Sequence, residues 1–374
     1  MKLLHLSDLH LGKRVNDYSM LEDQSDILNQ ILEITDRENI QGVMIAGDIY
    51  DKPVPPAEAV KLLDRFLKHL ASRNLPVFFI SGNHDSYDRL AFGAELFKKS
   101  GVYMPEGICT KIRWQDEYGP LVFWLMPFLK PVHVKAVYPD REIVTYTDAV
   151  RTVLEEEKPD PSERNILICH QFVAGAARCE SEEVSIGGLD QVDASVFAAF
   201  DYVALGHLHR PQYIQKETIR YCGTPLKYSF SEVNDRKSVT VVDVKEKGTV
   251  QIGTVPLIPL RDLKEIKGTY LELTSRPFYE TLNREDYYHI TLTDEEDVMD
   301  AVNKLRMIYP NMMKMDYDNQ RVRTQAKYDE IEEIKNRRPD EIVNEFYEKQ
   351  NGRPLSVEQK ELVKKIMEEI WEDV

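Results

Sequence analysis

Between Met1 and about Pro211, six apolar runs recur: Leu3 to Leu6, Gly42 to Ala46, Val77 to Ile80, Leu121 to Trp124, Ile166 to Cys169 and Tyr202 to Leu205. Each has the length of a buried strand and is too short for a helix. Helical spacing fills several of the gaps. Met20 to Glu38 carries Leu21, Ile27, Leu28, Ile31, Leu32 and Ile34, and Pro55 to Leu70 opens on prolines and continues with Val60, Leu63, Phe66 and Leu67. Alternation of strand and helix predicts a layered α/β domain.

After Pro211 the pattern shifts to short β runs, Ser238 to Val244 and Val250 to Val255, which are expected to add strands to the same core. A soft boundary falls near Leu260, giving a division into residues 1–262, 263–326 and 327–374. Within the middle segment, Tyr287 to Leu292 alternates as a strand and Glu296 to Met307 reads as a helix, so Lys264 to Tyr317 is expected to form a small α/β module. The last segment is charged and helical. Ser356 with Gln359 makes a capping box ahead of Leu362, Val363, Ile366, Met367, Ile370 and Trp371, a stripe that either packs on its own domain or docks on another protein.

Composition narrows the class. With 374 residues, 42% hydrophobic and 30% charged, the chain suits a soluble protein of two or three units, and no apolar run approaches the roughly 20 residues of a membrane span. The amino terminus meets Asp8 and His10 before a secretory core could form, so a cytoplasmic location is expected. Cys109, Cys169, Cys179 and Cys222 are widely spaced, without a Cys-x-x-Cys pair, and read as reduced packing residues. A net charge of −16 disfavours unaided binding of nucleic acid.

Candidate chemistry sits immediately behind the strands. Asp8-Leu9-His10, Gly47-Asp48-Ile49-Tyr50-Asp51, Gly82-Asn83-His84-Asp85, His170 and Gly206-His207-Leu208-His209 each follow an apolar run. Parallel strands would bring these clusters to one rim. Each alone is also consistent with an ordinary turn. Together, imidazoles mixed with carboxylates suit divalent transition metals, and the number of donors exceeds what one tetrahedral ion needs. Two ions sharing a carboxylate can clamp both ends of an in-line displacement at phosphorus.

In this order, D-x-H, G-D-x-x-D, G-N-H-D, a lone H and G-H-x-H resemble the signature of the calcineurin-like metallophosphoesterases. The resemblance implies a core of two sheets flanked by helices. It also implies that Asp8, His10, Asp48 and His209 hold one ion and Asp48, Asn83, His170 and His207 the other, with Asp48 bridging. By the same likeness His84 stays off the metals and protonates the leaving oxygen, while Asp51 orients it; Asp85 is left as a loop-structuring residue.

"LSDLHLGK", "AGDIYDKPVPP", "ALGHLHRPQ" and "YCGTPLKYSFSEVNDRKSVTVVDV" further resemble the bacterial DNA-nuclease subunits of this family, across roughly the first two thirds of the chain. That likeness implies Mn²⁺, or Mg²⁺ or another divalent ion, and DNA end processing in repair and recombination. It implies a homodimeric nuclease core in a heterotetramer with a coiled-coil ATPase, a small capping domain and carboxy-terminal helices that grip the ATPase. Archaeal and eukaryotic relatives carry histidine where this chain has Asp51, so a dual role for histidine there does not transfer.

Two rival functions remain open at this point: a small-molecule phosphodiesterase or phosphatase on the same fold, and a scaffold with a vestigial metal site. His5, His69, His133 and His289 lack neighbouring ligands and read as packing or surface residues. Lys13 and Arg14 suit either a DNA phosphate contact or a solvated turn. Leu63, Phe66, Leu67, Leu90, Phe92 and Leu96 suit either the core or a dimer face.

Overall fold

The structure, a computed structural model, describes residues 1–177, 179, 182, 191–320, 347, 354–356 and 359–363. It forms two compact units. The first comprises Met1–Glu265, Glu285–His289 and Asn311–Lys314, and the second Ile266–Arg284, Ile290–Pro310 and the described residues from Met315 onward.

All six apolar runs are strands, and they lie in two six-stranded sheets. One is ordered Val250–Pro256, Ser238–Val244, Lys2–Leu6, Gly42–Ala46, Val77–Ile80, Val102–Tyr103; the last four run parallel, and the first two are added antiparallel. The other is ordered Gln212–Ile214, Lys216–Tyr221, Tyr202–Gly206, Arg164–His170, Gly119–Met126, Thr110–Asp116, with four parallel central strands and an antiparallel strand at each edge.

The runs are continuous rather than alternating because both faces of each strand are covered. Met44, Phe78, Phe123, Ile168 and Ala204 point between the sheets, where Phe78 stacks on Phe123 with centroids 3.9 Å apart. Their neighbours point outward. Val43, Ile45 and Phe79 meet the helices Leu21–Arg37 and Ala57–Ser72, and Trp124, Leu167 and Leu205 meet the helix Tyr146–Glu157. The result is four layers, helix, sheet, sheet, helix, as the family resemblance implies.

Leu63 and Phe66 are buried in the chain's own core, Leu67 and Leu90 pack against it, and Phe92 and Leu96 are exposed. The helix Tyr146–Glu157 had a local signal that hydrophobic periodicity passed over: Thr145 and Asp148 cap it reciprocally. All four cysteines are free. Among the described residues no helix is long and apolar enough to cross a membrane.

Leu263–Gly268, Tyr287–Leu292 and Met312–Tyr317 form a three-stranded sheet. The helix expected over Glu296 to Met307 is shorter, Ala301–Arg306, because Asp300 takes a left-handed backbone (φ 57°) at its start. In the terminal segment the Ser356 and Gln359 cap is made in both directions, at 2.9 and 3.2 Å, and Leu362 is exposed. Ile366, Met367, Ile370 and Trp371, and most of 327–374, lie outside the described residues.

His5 packs between the sheets, with Nδ1 2.9 Å from the Tyr202 hydroxyl. Burial, aided by the positive charge of Arg220, lowers its pKa to about 3. An unfolded histidine takes a proton below pH ~6.5, whereas the folded one does not, so this contribution is intact above that value and is lost as pH falls toward 3. Between pH 7.5 and 5.0, urea unfolding of wild type should show a loss about 2 kcal/mol larger than that of His5→Gln. Equal losses would mean that His5 is not held neutral.

Candidate metal centre

Parallel strands carry their following loops to a common rim, and here the rims of both sheets meet. The loop after Lys2–Leu6 is zipped to the loop after Gly42–Ala46: Asp8 N donates to the Gly47 carbonyl (3.0 Å), His10 N to that of Asp48 (2.9 Å) and Leu11 N to that of Ile49 (2.9 Å). Gln24, from the first helix, clamps this turn by donating to the His10 carbonyl (2.8 Å) and accepting from Gly12 N (3.0 Å). Across the rim, His170 Nδ1 meets the Ala46 carbonyl at 2.8 Å.

The glycines of the motifs are set by this closeness. A Cβ on Gly206 would fall 1.8 Å from the Ala46 carbonyl oxygen, and one on Gly47, whose φ is +86°, would fall 2.4 Å from His170 Nδ1. Asp8, His10, Asp48 and His207 are themselves at positive φ (51°, 43°, 48° and 101°). For non-glycine residues that costs on the order of 1–3 kcal/mol each, and such strain gathers where surrounding structure over-determines a functional side chain.

Every residue singled out in the five clusters arrives at this rim. Potential ligand atoms of Asp8, His10 and His209 lie within 4.8 Å of one another, as do those of Asp8, Asp48 and His170. Asp48 Oδ2 stands between two imidazoles, 3.4 Å from His170 Nε2 and 3.8 Å from His10 Nε2. Asn83 Oδ1 faces His170 Nε2 at 3.0 Å and His207 Nδ1 at 2.9 Å. Phe128 stacks against the His207 ring and walls that side with apolar surface.

Burial and the mutual attraction of carboxylates and imidazoles pull in opposite directions, and the winner differs from residue to residue. Burial lifts the Asp8 carboxyl to about 6 against the pull of His170, and it lowers His10 well below its ordinary value. It would raise Asp48 too, but His170, His10 and His84 outweigh it and hold that carboxyl far below the usual range.

A divalent cation fits this donor set. His10 Nε2 and His209 Nε2 point at each other 3.2 Å apart, and His10 Nδ1 is buried with no hydrogen-bond partner among the described residues. Two buried carboxylates among these rings need a compensating charge. The donors suit a binuclear divalent site.

His84 is brought within the same 4.8 Å of His10 and Asp48, so proximity alone does not separate it from the candidate ligands. Its backbone N donates to Asp48 Oδ1 at 2.9 Å, and its Nδ1 is 3.0 Å from the main-chain carbonyl of Asp51. This corrects the expected contact: the Asp51 carboxylate does not orient the ring. It turns instead to Lys13, with Nζ 2.7 Å away. A carbonyl serves the same end, since Nδ1–H needs only an acceptor. Lys13 is therefore no solvated turn residue, whereas Arg14 is exposed and bonds the Asp17 carbonyl.

Asp85 ties the loops together, accepting from Ile49, Tyr50 and Gly82 N at 2.9 to 3.0 Å. His289 lies apart, 3.1 Å from Glu265. Residues outside the five clusters also support the rim. Tyr228 donates to the Leu9 carbonyl (2.7 Å), Glu182 accepts from His209 N (2.6 Å), and buried Glu232 and Lys237 lie behind the His209 ring. The segment "YCGTPLKYSFSEVNDRK", which holds Tyr228, Glu232 and Lys237, carried family likeness but no ligand spacing.

The fold and donor set define a metal-dependent phosphoesterase, and the calcineurin-like phosphoesterase profile matches residues 1–211. A second profile, the type 5 capsule protein repressor C-terminal domain, matches residues 259–351. The SbcD subunit of nuclease SbcCD from Staphylococcus epidermidis is 34% identical, covering 98% of each chain, and that of Staphylococcus saprophyticus is 33% identical over 100% of this chain and 99% of its own. The chain belongs to the SbcD family of calcineurin-like phosphoesterases.

Gly206→Ala should drive Ala46 and Gly206 apart. The variant is expected to keep its far-ultraviolet circular dichroism while its Mn²⁺ affinity by calorimetry falls at least about 10-fold, the effect of displacing support around a ligand. Unchanged affinity would show that the rim tolerates a wider gap.

Proposed function

We propose that this chain is the nuclease component of an SbcCD-type complex, hydrolysing DNA phosphodiesters in end processing, repair and recombination. What carries the reading is near full-length similarity to SbcD nuclease subunits together with an intact donor set at the rim. In this proposal Asp8, His10, Asp48 and His209 would hold one divalent ion and Asp48, Asn83, His170 and His207 the other, with Asp48 common to both sets. Mixed imidazole and carboxylate donors favour Mn²⁺ over Mg²⁺.

When bound, the ions would supply Lewis-acid neutralisation of the phosphorane charge and activation of the attacking water. The protein's own part is orientation and proton delivery. Asp51, through its carbonyl, would hold His84 Nδ1–H, so that a further proton carried on Nε2 would face the substrate and pass to the leaving oxygen. Lys13, pinned by the Asp51 carboxylate, places a cation beside the site.

Residues 1–262 would form the nuclease domain, 263–326 the cap and 327–374 the element that docks on the SbcC ATPase, with two copies of this chain pairing in a cytoplasmic heterotetramer. An acidic chain, net −16, would take much of its DNA grip from that partner.

The test is Mn²⁺-dependent cleavage of end-labelled linear and hairpin DNA by the chain with its ATPase, beside a chromogenic phosphodiester. Asp48→Ala is expected to reduce cleavage by more than about 100-fold, and His84→Ala by about 10² to 10⁴ while keeping both ions. Turnover of the small diester with DNA untouched would point to a small-molecule enzyme. Silence on both substrates, with the ATPase still bound, would point to a scaffold.

A further inference from the structure

Directly behind His209, and outside the ligand set, lies a buried pair of opposite charges. Glu232 has no exposed surface and Lys237 is 5% exposed. Burying two charges away from water is costly unless their hydrogen bonds are made and serve a fixed geometry.

Here they are made, and each of the two charges reaches His209. Lys237 Nζ donates to the His209 carbonyl (2.9 Å), to Thr224 Oγ1 (2.8 Å) and to Glu232 Oε2 (2.5 Å). Glu232 Oε1 stands 3.5 Å from His209 Nδ1 and accepts from Tyr228 N at 3.3 Å. Thr224 N also donates to the His209 carbonyl, at 3.1 Å, and Glu182 takes the His209 N–H. The backbone and the outer ring nitrogen of His209 are thus both held, and its other nitrogen, Nε2, faces His10 Nε2 at 3.2 Å.

We infer that Glu232 and Lys237 are positioning residues for the metal site: Glu232 fixes the His209 ring with Nδ1 carrying the proton and Nε2 presented as the ligand, and Lys237 locks Glu232 and the His209 carbonyl together. A ligating histidine depends on such a partner for its tautomer and aim. The inference rests on the metal-site reading proposed above. It assigns a role to two residues 23 and 28 positions beyond the histidine they orient, which ligand spacing does not reveal.

Calorimetric titration of the full chain with Mn²⁺ alone provides the test, with wild type and His209→Ala as references. Wild type is expected to take up two ions, and His209→Ala to abolish one of the two binding steps. Glu232→Gln, which keeps the shape but loses the charged acceptor, should weaken that same step about 10- to 100-fold and leave the other unmoved. A merely structural role would lower the melting temperature without this selectivity. Should Glu232→Gln fail to fold, E232Q/K237M removes both charges together, leaves neither alone, and is held to the same expectation. Folded variants with both steps unchanged, or with both weakened equally, would overturn the inference. Failure of wild type to bind two ions, or of His209→Ala to lose one, would instead overturn the metal-site reading, and the inference with it.

Discussion

The hydrogen bond from His170 to the Ala46 carbonyl joins residues 124 positions apart and ties the end of one sheet to the end of the other. Around it the two rims approach so closely that Gly47 and Gly206 leave no room for a side chain. Face-to-face sheets slide and twist relative to one another unless something sets their offset. Here the aromatic stack of Phe78 on Phe123 fills the interior, while the His170 contact fixes the rim. Asp8, Asp48 and Asn83 come from one sheet, and His170, His207 and His209 from the other. Their mutual distances therefore depend on that seam.

Strain and charge accumulate where the seam closes. Four of the converging residues adopt positive-φ backbone, and the carboxylates of Asp8 and Asp48 are buried among several imidazoles. A surface loop would relax from such an arrangement. This one is held by loop-to-loop backbone bonds, by Gln24 and Tyr228 beneath the first turn and by Asp85 beneath the second. The cost of preorganisation is spread over groups that stand outside the donor set.

Family membership and site geometry bear on different questions. Similarity over nearly the whole length to SbcD subunits places the chain in its family, while the rim accounts for why that family's motifs need those residue types. The two meet at Asp51. Its carboxylate reads in the motif as the natural partner of His84, yet the ring is held by the Asp51 carbonyl and the carboxylate is committed to Lys13.

The sequence by itself determined the six central strands, because runs buried on both faces read as continuously apolar, and it marked the polar clusters behind them as candidate donors, because loops that follow parallel strands lie at a sheet's edge. Even the terminal cap of Ser356 and Gln359 was legible, being local. What only the tertiary structure decided is orientation: which atom of Asp51 meets His84, that the helix after Asp300 begins only at Ala301, and that Glu232 and Lys237 stand behind His209. Those outcomes depend on backbone angles and on contacts between segments far apart in the chain. Residue identity and spacing fix which groups are present, but packing fixes where each one points.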